Sequence, residues 1–149
     1  KYRVYQAIKI QDESEIKFFI DIFIHLSENN MDVVTISKKL NLFQDHWNPR
    51  IVAELNGQYV KLAKLKGAFD MHLHENEDEM FLVIKGTLKM NLESETKTIC
   101  EGEFIVIPKG TLHQPVAEEE VEVMLFEPKT TLNTGNINSD FTKTNLDTI

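Results

Sequence analysis

His72, His74 and Glu79, followed by His113 behind a Gly-Glu-Phe-Ile-Val-Ile-Pro-Lys-Gly run, are the residues whose types and spacing could do chemistry. Three imidazoles and a carboxylate make a ligand set for a divalent transition metal, with Fe, Mn, Ni, Co and Zn all compatible. In an extended segment alternate side chains share a face, so His72 and His74 project together and can grip one ion. Glu79 stands at an odd offset from His74, which a continuous strand would put on the opposite face. The chain must therefore bend or bulge within Glu75-Asn76-Glu77-Asp78, a polar stretch suited to a tight connection. A different bend would bring Asp78 or Glu77 to the ion instead of Glu79; otherwise Glu75, Glu77 and Asp78 form a solvated rim. Burying such a cluster without an ion would be costly.

The elements that must position these groups read as strands. Phe81-Leu82-Val83-Ile84 is one, closed by Lys85-Gly86-Thr87, and Leu88 to Leu92 is the next. Phe104-Ile105-Val106-Ile107 is an apolar run long enough for one buried strand, and Pro108-Lys109-Gly110 stops it, so that His113 follows a rigid turn. Farther back, Ile51 to Leu55 and Tyr59 to Leu65 form a hairpin about Asn56-Gly57. Val33-Val34-Thr35-Ile36 reads as a strand and Ser37 to Phe43 as a helical turn. Lys97 to Cys100 and Val121 to Phe126 bring the strand-like segments to at least eight, with Glu118-Glu119-Glu120 as an exposed hairpin tip. That count, with short polar connections, fits an all-β jelly-roll barrel better than an α/β arrangement.

The stretch from Gly67 through His72, His74 and Glu79 to Gly86 resembles the first motif of the cupin superfamily, and Gly102 through Pro108 and Gly110 to His113 resembles the second. Two positions depart from the pattern. Gly67 stands one residue closer to the first histidine than usual, and Ala117 occupies the place where many cupins carry asparagine. From about Met31 to Asn136 the chain also resembles small single-domain bacterial cupins, including Asp45-His46-Trp47-Asn48-Pro49, Glu54-Leu55-Asn56-Gly57 and Leu132-Asn133-Thr134-Gly135-Asn136. The resemblance implies a double-stranded β-helix with a metal inside, held by His72, His74, Glu79 and His113, in a homodimer. It names no substrate.

Bulk properties agree with one such domain, expected over residues 31–149 with a tail from about 130. The chain has 149 residues, of which 42% are apolar, enough to bury a sizeable core and too few for a second catalytic domain. A formal net charge of -8 argues against unaided binding to nucleic acid or to an anionic membrane surface. The single cysteine, Cys100, reads as a small buried hydrophobe in a reducing compartment, which places the protein in the cytoplasm. Residues 1–30 read as an N-terminal extension, either native or translated from upstream of the true start. Within it, Ile16 to Leu26 fits either a short helix capped by Ser14 or a strand, and lacks the features of a secretory signal.

His25 and His46 have no partners at ligand spacing and read as ordinary core or surface groups. Phe69, Met71, Phe81, Met90, Phe104 and Phe126 are candidates for barrel filling or a pocket wall. There is no Gly-rich phosphate loop, nucleophile elbow or paired-cysteine motif. Four protein ligands leave one or two positions on the ion for a small molecule or oxygen. The functional expectation is therefore a metal-binding cupin acting as a small-molecule enzyme, by isomerase-like Lewis-acid chemistry or as a dioxygenase. Its competitors are a non-catalytic binding or sensing module and a barrel whose metal is vestigial. An enzyme needs a second ionisable group beside the open position, for which Glu54, Lys64, Tyr59 and Gln114 are the candidates.

Overall fold

The structure, a computed structural model, describes residues 32–149. The chain divides into two compact units, Lys1–Val33 and Val34–Ile149, and the second carries every element below. The expected extension over residues 1–30, its Ile16–Leu26 segment and His25 lie outside the described residues.

Among the described residues one short helix, α1 (Ile36–Leu40), precedes seven strands: β1 (Arg50–Leu55), β2 (Gln58–Ala68), β3 (Glu79–Lys85), β4 (Thr87–Leu92), β5 (Thr96–Cys100), β6 (Phe104–Ile107) and β7 (His113–Pro128). All pairings between strands are antiparallel, in the order β1-β2-β7-β3-β6, with β4 joining both β5 and β7. This is the all-β jelly roll expected from the sequence. The β1–β2 hairpin turns at Asn56-Gly57, where φ is 52° and 76°; both residues occupy the left-handed region that this dipeptide tolerates.

β7 organises the barrel. Its first part pairs with β4 (Leu92↔His113 to Lys89↔Val116), its last part pairs with β3 (Met80↔Phe126 to Lys85↔Glu122), and β2 runs along its other side. The register with β2 slips between Leu65↔Val121 and Gly67↔Ala117, leaving Glu118, Glu119 and Glu120 bulged out to solvent. These three glutamates are exposed as expected, but as a bulge inside one long strand rather than a hairpin tip. Ala117 before the bulge and Val121 after it both face the core, so pairing with β2 resumes on the far side.

Period-two alternation sorts the side chains. Ala63 and Leu65 of β2, Phe81 and Val83 of β3, Leu88 and Met90 of β4 and Val121, Val123 and Leu125 of β7 meet in the barrel core, together with Trp47 and Phe69. On the other face of β2, Leu62 packs against Leu40 and Phe43 from the α1 region. Alternation also corrects three readings. Ile99 takes the inward position on β5, so Cys100 is exposed; Phe104 points out from β6 at 64% exposure; and Met71 is exposed beside the inward His72. Val33-Val34-Thr35-Ile36 forms no strand, since helix α1 begins at Ile36. The C-terminal tail wraps along β1 through Ile51 N–H to Asp147 O (2.9 Å) and Ile149 N–H to Ile51 O (3.0 Å).

Candidate metal centre

The two histidines of the first motif lie on an extended segment outside the regular strands. His72 is tied to the first residue of β7 by paired backbone bonds, His72 N–H to His113 O at 3.0 Å and His113 N–H to His72 O at 2.9 Å. This single bridge brings residues 41 positions apart in sequence into register and sets their imidazoles side by side, with ring centroids 4.3 Å apart and planes tilted by 51°. His74 joins at 5.1 Å from the His72 ring. Glu79 opens β3 facing inward, after the polar bend over Glu75–Asp78 that its odd offset required. Lys109 N–H donates to Asp78 Oδ1 (2.9 Å) and fixes that bend, which leaves Asp78 exposed; Glu75 is also exposed and Glu77 half-buried, on the rim.

The four groups converge. His72, His74, Glu79 and His113 are all buried, and one ligand atom from each lies within 4.8 Å of the others. The outer nitrogens of two rings are spoken for: His72 Nδ1–H donates to Asp70 O and His113 Nδ1–H to Thr111 O, each at 2.9 Å. That assigns the lone pair of each Nε2 to the interior, the tautomer a metal ligand needs. His74 Nε2 is 3.2 Å from Glu79 Oε2. His113 Nε2 stands 3.4 Å from the same oxygen without hydrogen-bonding geometry, and is a fully buried nitrogen with no partner. An orphaned buried imidazole nitrogen aimed at a carboxylate and two further imidazoles fits an ion, and the donor set suits a borderline transition metal.

Electrostatics agree. Burial, reinforced by the nearby His113, lowers the His72 pKa from 6.5 to about 4, so the ring is neutral at physiological pH. For Glu79, burial pushes the pKa up, but His113 and His74 outweigh it and hold the carboxyl at about 2, keeping it a carboxylate. The protein alone thus presents a neutral His72 and an anionic Glu79 at the cluster.

The C-terminal segment supplies a support that the motifs do not contain. Asn136 N–H donates to Leu73 O (3.0 Å), and Leu73 N–H donates to Asn136 Oδ1 (3.1 Å), clamping the residue between the two histidines. Gly135 makes this approach possible: at φ 53° a Cβ there would collide with the Leu73 carbonyl and sit 3.2 Å from His74 Nδ1.

Beside the four residues lies a cavity of about 30 Å³, walled by Trp47, Phe69, Phe81 and Leu125 and reached by His72, Glu79 and Glu127. None of the four ionisable or polar candidates named from sequence lines it. Glu54 is exposed and pairs with Lys129 (2.7 Å), Lys64 bonds Gln44 (3.2 Å), Gln114 donates to Phe69 O (2.8 Å), and Tyr59 stacks under Lys129. His46 pairs with Glu120 at 2.9 Å, away from the cluster. The second ionisable group is Glu127, whose Oε1 accepts from Lys61 Nζ at 2.7 Å with both side chains 1% exposed. Burial and the neighbouring Glu79 charge, opposed by Lys61, raise the Glu127 pKa to about 8. Counting inward positions along β7 from Val121 through Val123 and Leu125 reaches Glu127, and the same count back from Leu65 and Ala63 reaches Lys61. That was the available signal.

Among the described residues no helix is long and apolar enough to cross a membrane. Residues 58–127 match the Cupin_2 family, a cupin domain. The chain is similar to a cupin-2 domain containing protein from Shewanella frigidimarina, with 42% identity and a TM-score of 0.65 over 65% of this chain and 95% of that one. It is 36% identical over 64 residues to the uncharacterized protein YdbB of Bacillus subtilis, covering 42% of this chain and 57% of that protein. An uncharacterized protein of Aquifex aeolicus is 37% identical over 59 residues, 38% of this chain and 49% of the relative. The chain thus spans about half the length of the curated relatives it matches.

Proposed function

This chain belongs to the cupin superfamily, and we propose that it is a metal-dependent small-molecule enzyme whose ion is held by His72, His74, Glu79 and His113. The observation that carries the metal is His113 Nε2, fully buried, without a hydrogen-bond partner, and facing the other three groups. Two ring orientations are set from behind by the carbonyls of Asp70 and Thr111, so little ordering remains to be done when an ion binds. When bound, a divalent ion of this ligand set supplies Lewis-acid polarisation of an oxygen on a small molecule.

Chemistry is favoured over passive binding by Glu127. A binding module needs only a complementary wall, whereas this cavity carries a second buried carboxyl beside the first. The chain's own contribution is then to exclude water with Trp47, Phe69 and Phe81, to orient the small molecule, and to hold the two carboxyls at different protonation. The partner is a small polar molecule rather than nucleic acid or a membrane. A second copy of the chain is expected as well, since among the described residues β6 pairs with β3 alone and carries the exposed Phe104 and Val106.

Elemental analysis tests the metal. Protein purified without chelators or added metal should carry near-stoichiometric transition metal, and a folded His72→Ala/His74→Ala variant should lose it. Full retention in the variant refutes the ligand assignment, and no uptake of Fe, Mn, Ni, Co or Zn by the wild type refutes the metal altogether.

A further inference from the structure

We infer that Glu127 contacts the ligand directly: its Oε2 shares a hydrogen bond with a hydroxyl on a short polar arm of a small molecule whose other end, an oxygen, binds at the His72–His74–Glu79–His113 site. The inference rests on the metal reading above and goes beyond it by naming which atom recognises the ligand and what chemistry it recognises.

The argument begins with where Glu127 sits. It ends the inward column of β7, in which Val121, Val123 and Leu125 fill the core. A barrel that needed only filling would continue that apolar series. Instead the column ends on a carboxylate beneath which Lys61, inward on β2, is buried to the same degree. Replacing such a pair with apolar groups of equal volume is commonly neutral or stabilising, so packing gives no reason for it. Lys61 satisfies only Oε1; Oε2 is buried and has no hydrogen-bond partner. A buried carboxyl oxygen left without a hydrogen-bond partner is unfavourable unless a partner arrives from outside the fold.

The cavity's other polar groups are already engaged. Trp47 Nε1–H donates to Lys66 O at 2.8 Å. Asn133 Nδ2–H donates to Phe141 O, and Asn133 Oδ1 accepts from Lys143 N–H, each at 2.8 Å. Among the described residues lining the cavity, the buried side-chain polar atom left without a partner outside the four-residue cluster is Glu127 Oε2. It faces the same space as His72 and Glu79, so one small molecule can span from the cluster to Glu127.

Size then limits the class. About 30 Å³ holds roughly two water-sized groups, enough for a hydroxymethyl arm and too little for a ring or a phosphate. The surrounding Trp47, Phe69 and Phe81 offer no charge to compensate an anion at that end. The ligand class is therefore a short hydroxy acid or hydroxy carbonyl compound, its carboxylate or carbonyl oxygen at the cluster and its hydroxyl at Glu127.

The test uses full-length protein loaded with Co(II), whose visible spectrum reports ligand binding, with glycolate and acetate as probes. Both carry the carboxylate, but only glycolate carries the hydroxymethyl arm. A Lys61→Met/Glu127→Leu double variant removes the cavity-facing oxygen and leaves no uncompensated charge, whereas Glu127→Gln keeps an oxygen for Lys61 and a polar group toward the cavity. The expected result for the double variant is a loss of about fivefold or more in glycolate affinity, the scale of one hydrogen bond, with acetate affinity within about twofold and Co(II) content unchanged. Chelation through the glycolate hydroxyl alone would survive the substitution, so it cannot produce that pattern. Glu127→Gln should lose less of the glycolate affinity than the double variant. Unchanged glycolate affinity in both variants overturns the inference while leaving the metal reading standing. Loss of Co(II) from Glu127→Gln overturns it too, because Glu127 would then serve the ion rather than the ligand. A wild type that takes up no Co(II) removes the metal reading and this inference together.

Discussion

Lys61→Met isolates the cost of the charge pair beneath the cavity. Lys61 and Glu127 are each 1% exposed, their contact is 2.7 Å, and the nearest other charge to Glu127 is the like-signed Glu79. Removing the lysine leaves a buried carboxyl with no counter-ion, and breaking a pair of this kind costs about 3–5 kcal/mol. With its folded pKa at about 8, Glu127 is already mostly protonated at pH 7 beside the lysine, so the loss there is smaller and the full cost of a broken ion pair is reached only at higher pH. The sign with pH follows. A carboxyl with a raised folded pKa favours folding at low pH, and that benefit fades as pH rises from 4.5 through the folded value; in the variant the folded value lies higher, so the decline continues beyond pH 8 and the deficit widens there. Against a typical domain stability of about 5–15 kcal/mol, the single variant loses a large share. The double variant Lys61→Met/Glu127→Leu should return to within about 1 kcal/mol of wild type or exceed it. Urea unfolding of chelator-treated protein at pH 7 and pH 9 measures all three without the confounding stabilisation by bound metal. A single variant within about 1 kcal/mol of wild type at both pH values, or a double variant as unstable as the single, refutes the view that this pair is a costly buried charge.

Gly135→Ala should destabilise the protein by about 2 kcal/mol or more and weaken metal retention, since its Cβ meets Leu73 between the two histidines; unchanged unfolding and metal content would refute the clamp. Metal-free protein should lose stability on acidification from pH 6.5 toward pH 4, because the His72 pKa is lowered from 6.5 to about 4 and the unfolded chain takes the proton first. At about 1.36 kcal/mol per pH unit, the upper bound of that loss is about 3 kcal/mol, read from urea midpoints of wild type against a His72→Asn variant in which this component should vanish. Phe104→Lys/Val106→Lys should shift the protein to monomer in light scattering, as both exposed residues lie on β6, which among the described residues pairs with β3 alone; a wild type that is already monomeric at high concentration would count against the dimer. Deleting residues 1–30 should leave metal content intact, and insoluble protein would show instead that the segment is integral to the domain.

The strands that could be read from sequence are those with a local boundary. Asn56-Gly57 marked the β1–β2 hairpin because only such a pair accepts two successive left-handed residues, and Pro108-Lys109-Gly110 marked the end of β6. β7 was harder. Three consecutive glutamates resemble a solvated turn, yet here they are a bulge that lets one strand serve β4 at its start and β3 at its end. A bulge is decided by the partner strands, so it leaves no mark that distinguishes it from a loop in its own sequence. Cys100 shows the same limit at one residue: strand β5 was right, but which of Ile99 and Cys100 faces the core depends on register with β4.

At the site, His72 and His74 declared a shared face by alternation, and Glu79 was placed by the bend its odd offset demanded. Their geometry also depends on Gly135 and Asn136, whose action on Leu73 is a tertiary contact across 62 and 63 residues of sequence that spacing within a motif does not encode. Glu127 and Lys61 were missed for a different reason. Long charged side chains at strand positions are ordinarily solvent-facing, and Glu127 precedes a proline, which reads as a strand end. Period-two counting from the apolar residues beside them points both inward all the same. The conflict between residue type and face is the signal: where an ionisable side chain falls on a core-facing position, the fold accepts a desolvation cost, and on the inner face of the barrel the described positions of this kind lie at the His72–His74–Glu79–His113 cluster or along the cavity beside it, apart from Lys61, which is there to meet Glu127; Lys64, also buried, lies on the other face of β2 against Phe43.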